Sequence, residues 1–310
     1  MKKKMIRDAF GEALVEIGLE NEDVVVLDAD VSGSTRTAKF AVEYPERFFN
    51  VGIAEQNMVS IASGLALGGK IPFVSTFSFL LTSRALDQVR TGIAYPKLNV
   101  RIAGGYGGLS DSFDGPTHHS ICDVAIMRSL PNMKVVVAAD APSTKAIVKE
   151  SIKWDGPVFL RLSRAEVPII FDDHYDFELG KGNLIQKGSD VTIIANGVML
   201  SKALEAVKTL DNEGIKAELI EMASVKPIDE EMIVKSAQKT KAVITAEEHN
   251  VIGGLGSAVA ETLAKNGIGK PLAMVGVEDT FTETGDYEEL LAKYGLSANN
   301  IVEKVKEFIY

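Results

Sequence analysis

Residues 54–76 read AEQNMVSIASGLALGGKIPFVST. Met58, Ile61, Ala62 and Leu65 recur at i, i+3, i+4 and i+7, which predicts a helix over 54–68 with one apolar stripe. The β-branched run at 72–76 then predicts a strand. The same rhythm extends in both directions. Strand-like runs at 24–27, 99–103, 134–138 and 158–162 alternate with helical stretches near 80–94, 121–129 and 141–153. Strand, helix, strand in repetition implies an α/β fold, a mostly parallel sheet with helices on both faces.

The rhythm pauses around Pro168, the Asp172-Asp173-His174 turn, and glycines 180, 182 and 188. A second series of strands follows, at 191–195, 217–221, 242–246 and 272–277. The expected organisation is therefore a first domain over 1–170, a linker over 171–189 and a second α/β domain over 190–310. Ligands of open parallel sheets sit at the carboxyl ends of the strands. In the first domain that rule singles out the loops 28–35, 77–81, 104–119 and 163–166.

Bulk properties exclude several function classes. The net charge is −10, with no basic stripe interleaved with aromatics, so nucleic-acid binding is not expected. Cys122 is the one cysteine, which rules out an intramolecular disulfide and points to a reducing compartment. The lysine-rich start is not followed by a continuous apolar stretch, as a signal peptide requires. No window approaches the ~18 uninterrupted apolar residues of a membrane span. These features together predict a soluble, cytoplasmic chain.

The loop 104–119 reads GGYGGLSDSFDGPTHH, with glycines at 104, 105, 107, 108 and 115. Ordering so free a backbone costs conformational entropy, and such loops often let a ligand approach the main chain. Ser120 is expected to cap a helix, with Asp123 three residues on, which would place His118 and His119 beside the positive end of its dipole. Histidine titrates near neutrality and moves protons. Glu55 opens the 54–68 helix on the face of Met58 and Ala62. Taken alone, it reads as a first-turn glutamate complementing the dipole. Phe77, Phe79 and Leu80 follow a strand and suit either core packing or the wall of a flat ring. Arg164 suits a bidentate phosphate contact or a surface ion pair. The segment 28–35 gathers two acids and three hydroxyls without the pattern of a calcium loop, and no residue set has zinc spacing. The glycines of 253–256 read as packing positions rather than a dinucleotide fingerprint.

Several stretches match one family in order: LDADVSGSTRT, FFNVGIAEQNMVSIASGLAL, DQVRTGIAYPKLNV, DGPTHHSICDVAIMRSLPNMKVVVAAD, FLRLSR and TAEEHNVIGGLGSAVAE. The chain resembles the second half of transketolase along essentially its whole length. That resemblance implies a pyrimidine-binding domain followed by the transketolase C-terminal domain, with thiamin diphosphate bound between two chains. Glu55, in the matching G-I-x-E motif, is then expected to hydrogen-bond N1′ of the aminopyrimidine. Asp30 matches an acid near the thiazolium, and Phe77 matches an aromatic of the pyrimidine pocket. Asp114 and His118 match the substrate motif, in which the histidine handles hydroxyl protons. Ser34 and Arg164 match sugar-phosphate positions. The implied reaction moves a two-carbon ketol unit from a ketose, with a phosphate, to an aldose.

The pattern is not matched everywhere. Gly105-Tyr106 stand where the family has Thr-His, and Ser112-Phe113 where it has Gly-Glu. Leu80 stands at a second pocket aromatic and Ser83 at a third, with Phe79 as the compensating ring. The chain contains no Gly-Asp-Gly, the start of the family's diphosphate and metal signature. The resemblance thus implies a split enzyme. An N-terminal partner subunit would hold the diphosphate with Mg2+ or Ca2+, in an α2β2 heterotetramer of carbohydrate metabolism. Two other readings fit the size and domain order: the β subunit of the decarboxylating component of a 2-oxo acid dehydrogenase, and a non-catalytic binding subunit.

Overall fold

A computed structural model describes residues 2–309. The first domain is built on a seven-stranded sheet ordered Ser224–Lys226, Lys134–Val137, Val158–Arg161, Arg101–Gly105, Ile71–Phe77, Val24–Asp28 and Phe48–Asn50. Its pairings are parallel except at the Ser224–Lys226 edge, which comes from the second half of the chain. Val24 and Val26 point into one core with Phe10, Leu14, Phe73 and Ile147. Val25 and Leu27 point into the other with Met58, Ala62, Val74 and Met127. This alternation, with both faces buried, explains why the strand sequences read as unbroken apolar runs.

The second domain has a five-stranded sheet ordered Leu272–Val277, Ala242–Asn250, Val191–Ala195, Ala217–Glu221 and Asn183–Gln186. Only the last, an edge strand lying within residues 171–189, pairs antiparallel. Helices Met199–Asn212 and Ala298–Ile309 cover one face, where Leu200, Val207, Ile301 and Val305 pack on Ile193. Helices Glu230–Lys239 and Leu255–Lys265 bring Ile233, Val259 and Leu263 onto Ile194 and Ile220. Both domains are thus the expected mostly parallel sheets between helices. Among the described residues, no helix is long and apolar enough to cross a membrane.

Local expectations need correction. The stretch 80–94 is not one helix. It is a short turn of helix, Ser78–Thr82, followed by a π-helical segment, Gln88–Ala94. The hydroxyls of Thr82 and Ser83 bond back to the carbonyls of Ser78 and Phe79, and the ladder then slips, the Ala85 N–H donating five residues back to the Leu80 carbonyl at 3.1 Å. Ser120 is not a cap either. The helix begins at Asp123 after Cys122, and the Ser120 main chain exchanges bonds with Gly108 instead. Helix Ile6–Glu20, which the sequence reading passed over as a charged start, packs Ile6, Phe10, Leu14 and Ile17 against the sheet.

Candidate active site

The sheet register brings the proposed loops together. Asp28 lies beside Ser75, Phe77 beside Gly105, and Gly104 beside Arg161, so four strands end along one edge. The chain leaves Asn50, turns at Gly52 with φ +74, and enters helix Glu55–Leu67. Glu55 is 2% exposed. A carboxylate in the first turn is favoured by the helix dipole, but its burial is costly without a partner. The partner is Arg84, whose Nη1 lies 2.8 Å from Glu55 Oε2. Gln56 Nε2 donates to the Arg84 carbonyl at 2.9 Å, fastening the helix start to the segment that carries Phe77, Phe79 and Leu80.

The aromatics form one continuous patch. Phe77 packs on Tyr106 with ring centroids 4.5 Å apart, and His118 lies 5.1 Å from Phe79 and 6.2 Å from Phe77. Leu80 is buried beneath, at 8% exposure. Tyr106, the residue in place of the family histidine, has φ +61, a strained conformation for an aromatic residue. Its hydroxyl accepts from Arg7 Nη1 at 2.7 Å, and Arg7 also donates to the Ser34 carbonyl at 3.2 Å. The Arg164 guanidinium stands 5.2 Å from the Tyr106 ring centroid, with Nη1 2.8 Å from Asp111 Oδ1. Ser34 and Tyr106 therefore meet beside two cations, Arg7 and Arg164.

Sequence reading missed Arg7 and Asp111. Arg7 lies far upstream and is brought to the site as strand Lys3–Met5 pairs with Glu166–Pro168, just beyond Arg164. Asp111 was one polar residue in a loop full of them. Burial, reinforced by Asp114 beside it, pushes Asp111 up to about 6, while Arg164 opposes the shift. Burial lowers His119, whose Nδ1 lies 2.6 Å from Thr282 Oγ1.

The acids of the 28–35 loop divide their work. Asp28 is fully buried and accepts from the Val31 N–H and the hydroxyls of Thr35 and Thr37, all at 2.7 Å. It thereby fixes the loop that presents Asp30 and Ser34. Asp30 is exposed, with φ +65, and accepts from Asn50 Nδ2 at 2.9 Å. Asp114 is exposed on the rim of the 104–119 loop. Contrary to expectation, not all the glycines of that loop are open to a ligand. A Cβ at Gly108 would lie 2.2 Å from the Glu248 carboxyl carbon, and one at Gly115 would lie 2.3 Å from Thr284 Oγ1. Arg161 is consumed by structure, pairing with Asp123 and donating to the carbonyls of Ser120 and Glu248. Gly254 makes room for Glu247, whose oxygens accept from the Leu255 and Gly256 N–H groups, while Gly253 and Gly256 lie against Ala125 and Met274.

Residues 2–169 match the transketolase pyrimidine-binding domain, and residues 180–301 match the transketolase C-terminal domain. A protein of Methanocaldococcus jannaschii named "Putative transketolase C-terminal section" is 46% identical over 306 residues, covering 98% of this chain and 96% of that one. The 6-deoxy-6-sulfo-D-fructose transketolase subunit SqwH of Clostridium sp. (strain MSTE9) is 41% identical, covering 99% and 95%. A solved structure described as a split gene transketolase, inactive beta4 tetramer, superposes with a TM-score of 0.90 at 51% identity, over 98% of both chains. The chain belongs to the transketolase family. Within that family it aligns end to end with subunits that carry only the C-terminal half, and it is the corresponding subunit of a split transketolase.

Proposed function

We propose that this subunit supplies Glu55 to the aminopyrimidine of thiamin diphosphate and the 104–119 loop to a sugar substrate. A partner subunit carrying Gly-Asp-Gly would hold the diphosphate and its metal. The observation that carries this reading is a buried glutamate at a helix start, in a chain that lacks the diphosphate motif. The donor set fits the pyrimidine. The Arg84 bond takes Oε2, so Oε1 remains for a ring nitrogen. Phe77, Phe79 and Leu80 offer apolar surface for the ring.

When bound, the cofactor supplies the electron sink that a two-carbon ketol transfer needs. The chain's own residues bind and orient. Glu55 shares a proton with the pyrimidine, His118 handles hydroxyl protons, and Asp114 holds a hydroxyl. Asp30, which accepts from Asn50, would lie near the thiazolium. Arg164, Arg7 and Ser34 face the far end of the sugar, where paired guanidinium groups suit an anionic terminus. The sulfonated sugar named for the Clostridium relative has such a terminus.

The test is to combine the chain with its N-terminal partner, thiamin diphosphate and Mg2+, and to follow ketol transfer from a ketose phosphate to an aldose. Activity is expected only when both subunits are present. Glu55→Ala should reduce it by about three orders of magnitude, the scale lost with a principal catalytic group. Full activity in that variant would refute the role of Glu55. Turnover of pyruvate in place of a ketose would reassign the subunit to 2-oxo acid decarboxylation.

A further inference from the structure

The second domain reaches across to the 104–119 loop of the first. Glu248, near the end of strand Ala242–Asn250, is fully enclosed. Its Oε1 accepts from the Leu109 N–H at 2.8 Å and from the Tyr287 hydroxyl at 3.0 Å. Gly108, with φ +68, lies against the same carboxyl so closely that a side chain would collide with it. Further along the loop, Thr282 Oγ1 lies 2.6 Å from His119 Nδ1, and the Gly285 N–H donates to the Ser112 carbonyl at 3.2 Å. Gly115 packs on Thr284 in the same way. Where the loop ends, Asn250 N–H donates to the Ile121 carbonyl at 2.8 Å. The loop is thus gripped at several points by residues 248–285.

We propose that Glu248 and Thr282 are positioning residues, through which the C-terminal domain clasps the substrate loop and sets the placement of Tyr106, Asp111 and His118. A loop with this many glycines has high conformational entropy when free, and its buried N–H groups need partners. The Glu248 oxygen gives the buried Leu109 N–H the acceptor it needs. Thr282 fixes the His119 ring, and the next residue back, His118, rests on Phe79. Arg161 stiffens the junction by donating 2.9 Å bonds to one carbonyl from each domain, those of Ser120 and Glu248. The domain that carries none of the expected reacting groups therefore sets the loop on which His118 stands.

The kinetic part of this proposal rests on the ketol-transfer reading, and the structural part does not, so two measurements separate them. In hydrogen–deuterium exchange on the chain itself, Thr282→Val and Glu248→Ala should speed exchange of the 106–120 peptide about tenfold, with helix Glu55–Leu67 unchanged. Glu248→Gln keeps an acceptor oxygen and should exchange like wild type. In the reconstituted complex, Thr282→Val and Glu248→Ala should raise the donor KM about tenfold while the cofactor KM stays within about twofold. Thr282→Val is nearly isosteric, so it decides the question if Glu248→Ala does not fold. Wild-type protection of the loop in Thr282→Val overturns the clasp. A loosened loop with an unchanged donor KM overturns its positioning role. If the wild-type complex transfers no ketol group, the functional reading falls, and the exchange experiment still decides the clasp.

Discussion

The Arg84 guanidinium binds one oxygen of the Glu55 carboxylate at 2.8 Å, and the two residues differ sharply in exposure, 50% against 2%. A buried carboxylate stripped of its only cation is strongly disfavoured. Arg84 both neutralises Glu55 and orients it, leaving the second oxygen for a ligand. Arg84→Ala should raise the thiamin diphosphate KM of the reconstituted complex about tenfold, and Arg84→Lys should recover most of that loss. Cofactor titration measures it. An unchanged cofactor KM in Arg84→Ala would mean that the guanidinium serves folding alone.

Asp111 pairs with Arg164 at 2.8 Å, so on the proposed reading it would compete with an anionic substrate for that guanidinium. The carboxyl is pushed up to about 6, so below that pH it is largely protonated and the Arg164 charge is less compensated. Binding of inorganic sulfate, which does not titrate in this range, should strengthen as pH falls from about 7.5 to about 5.5. Asp111→Asn should bind sulfate more tightly than wild type at pH 7.5, by roughly fivefold, and lose the component of the pH dependence centred near 6. Competition of sulfate with the sugar donor reports both. Equal sulfate affinity in the two proteins at pH 7.5 would show that Asp111 orients Arg164 without opposing the ligand.

The sheet was legible because both of its faces are buried. Val24 through Leu27 feed two cores at once, and unbroken β-branched runs of that kind have few alternatives. The loops were legible as candidates because chemistry sits at strand carboxyl ends. The partnerships between distant segments were not. Arg84 for Glu55, Arg7 for Tyr106 and Glu248 for Leu109 are separated by 29, 99 and 139 positions. No local period encodes such contacts. The stretch 80–94 failed for a local reason, because its main-chain ladder slips to a five-residue step where the Ala85 N–H donates to the Leu80 carbonyl, which apolar spacing does not reveal.

Arg101 is a large side chain with no exposure at all, on the central strand Arg101–Gly105. It donates to the carbonyls of Ser151 at 2.8 Å, Gly156 at 3.1 Å and Trp154 at 2.6 Å. It ties the end of helix Ala141–Ser151 to the start of the next strand. Burial lowers its pKa to about 10, with Asp155 opposing, so it stays charged at neutral pH. Arg101→Met would fill the space but strip the Trp154 and Gly156 carbonyls of this donor, while the Ser151 carbonyl keeps only the long bond from the Trp154 N–H. The expected loss is about 3–5 kcal/mol of stability, read as a lower denaturant midpoint, since each orphaned buried group costs roughly 1–3 kcal/mol. A midpoint within experimental error of wild type would mean that water replaces the guanidinium.

Glu221 and Glu248 give the stability a pH slope of predictable sign. Burial pushes Glu221 up to about 8, although the Tyr175 hydroxyl bonds it at 2.9 Å and acts to lower it. Burial pushes Glu248 up to about 7 against the pull of Arg161. Unfolded, each releases its proton near 4.5. Between those values these two carboxyls hold more protons in the folded chain than in the unfolded one, so their contribution to stability falls as pH rises from about 5 to about 8. Glu221→Gln removes its share of that loss. Its Tm should equal wild type at pH 5 and exceed it at pH 8, by an amount corresponding to a few kcal/mol. The slope that remains should lie mostly below pH 7 and should shrink again when Glu248→Gln is added. A Glu221→Gln variant whose Tm falls with pH as steeply as wild type would show that the Glu221 carboxyl ionises freely in the folded protein.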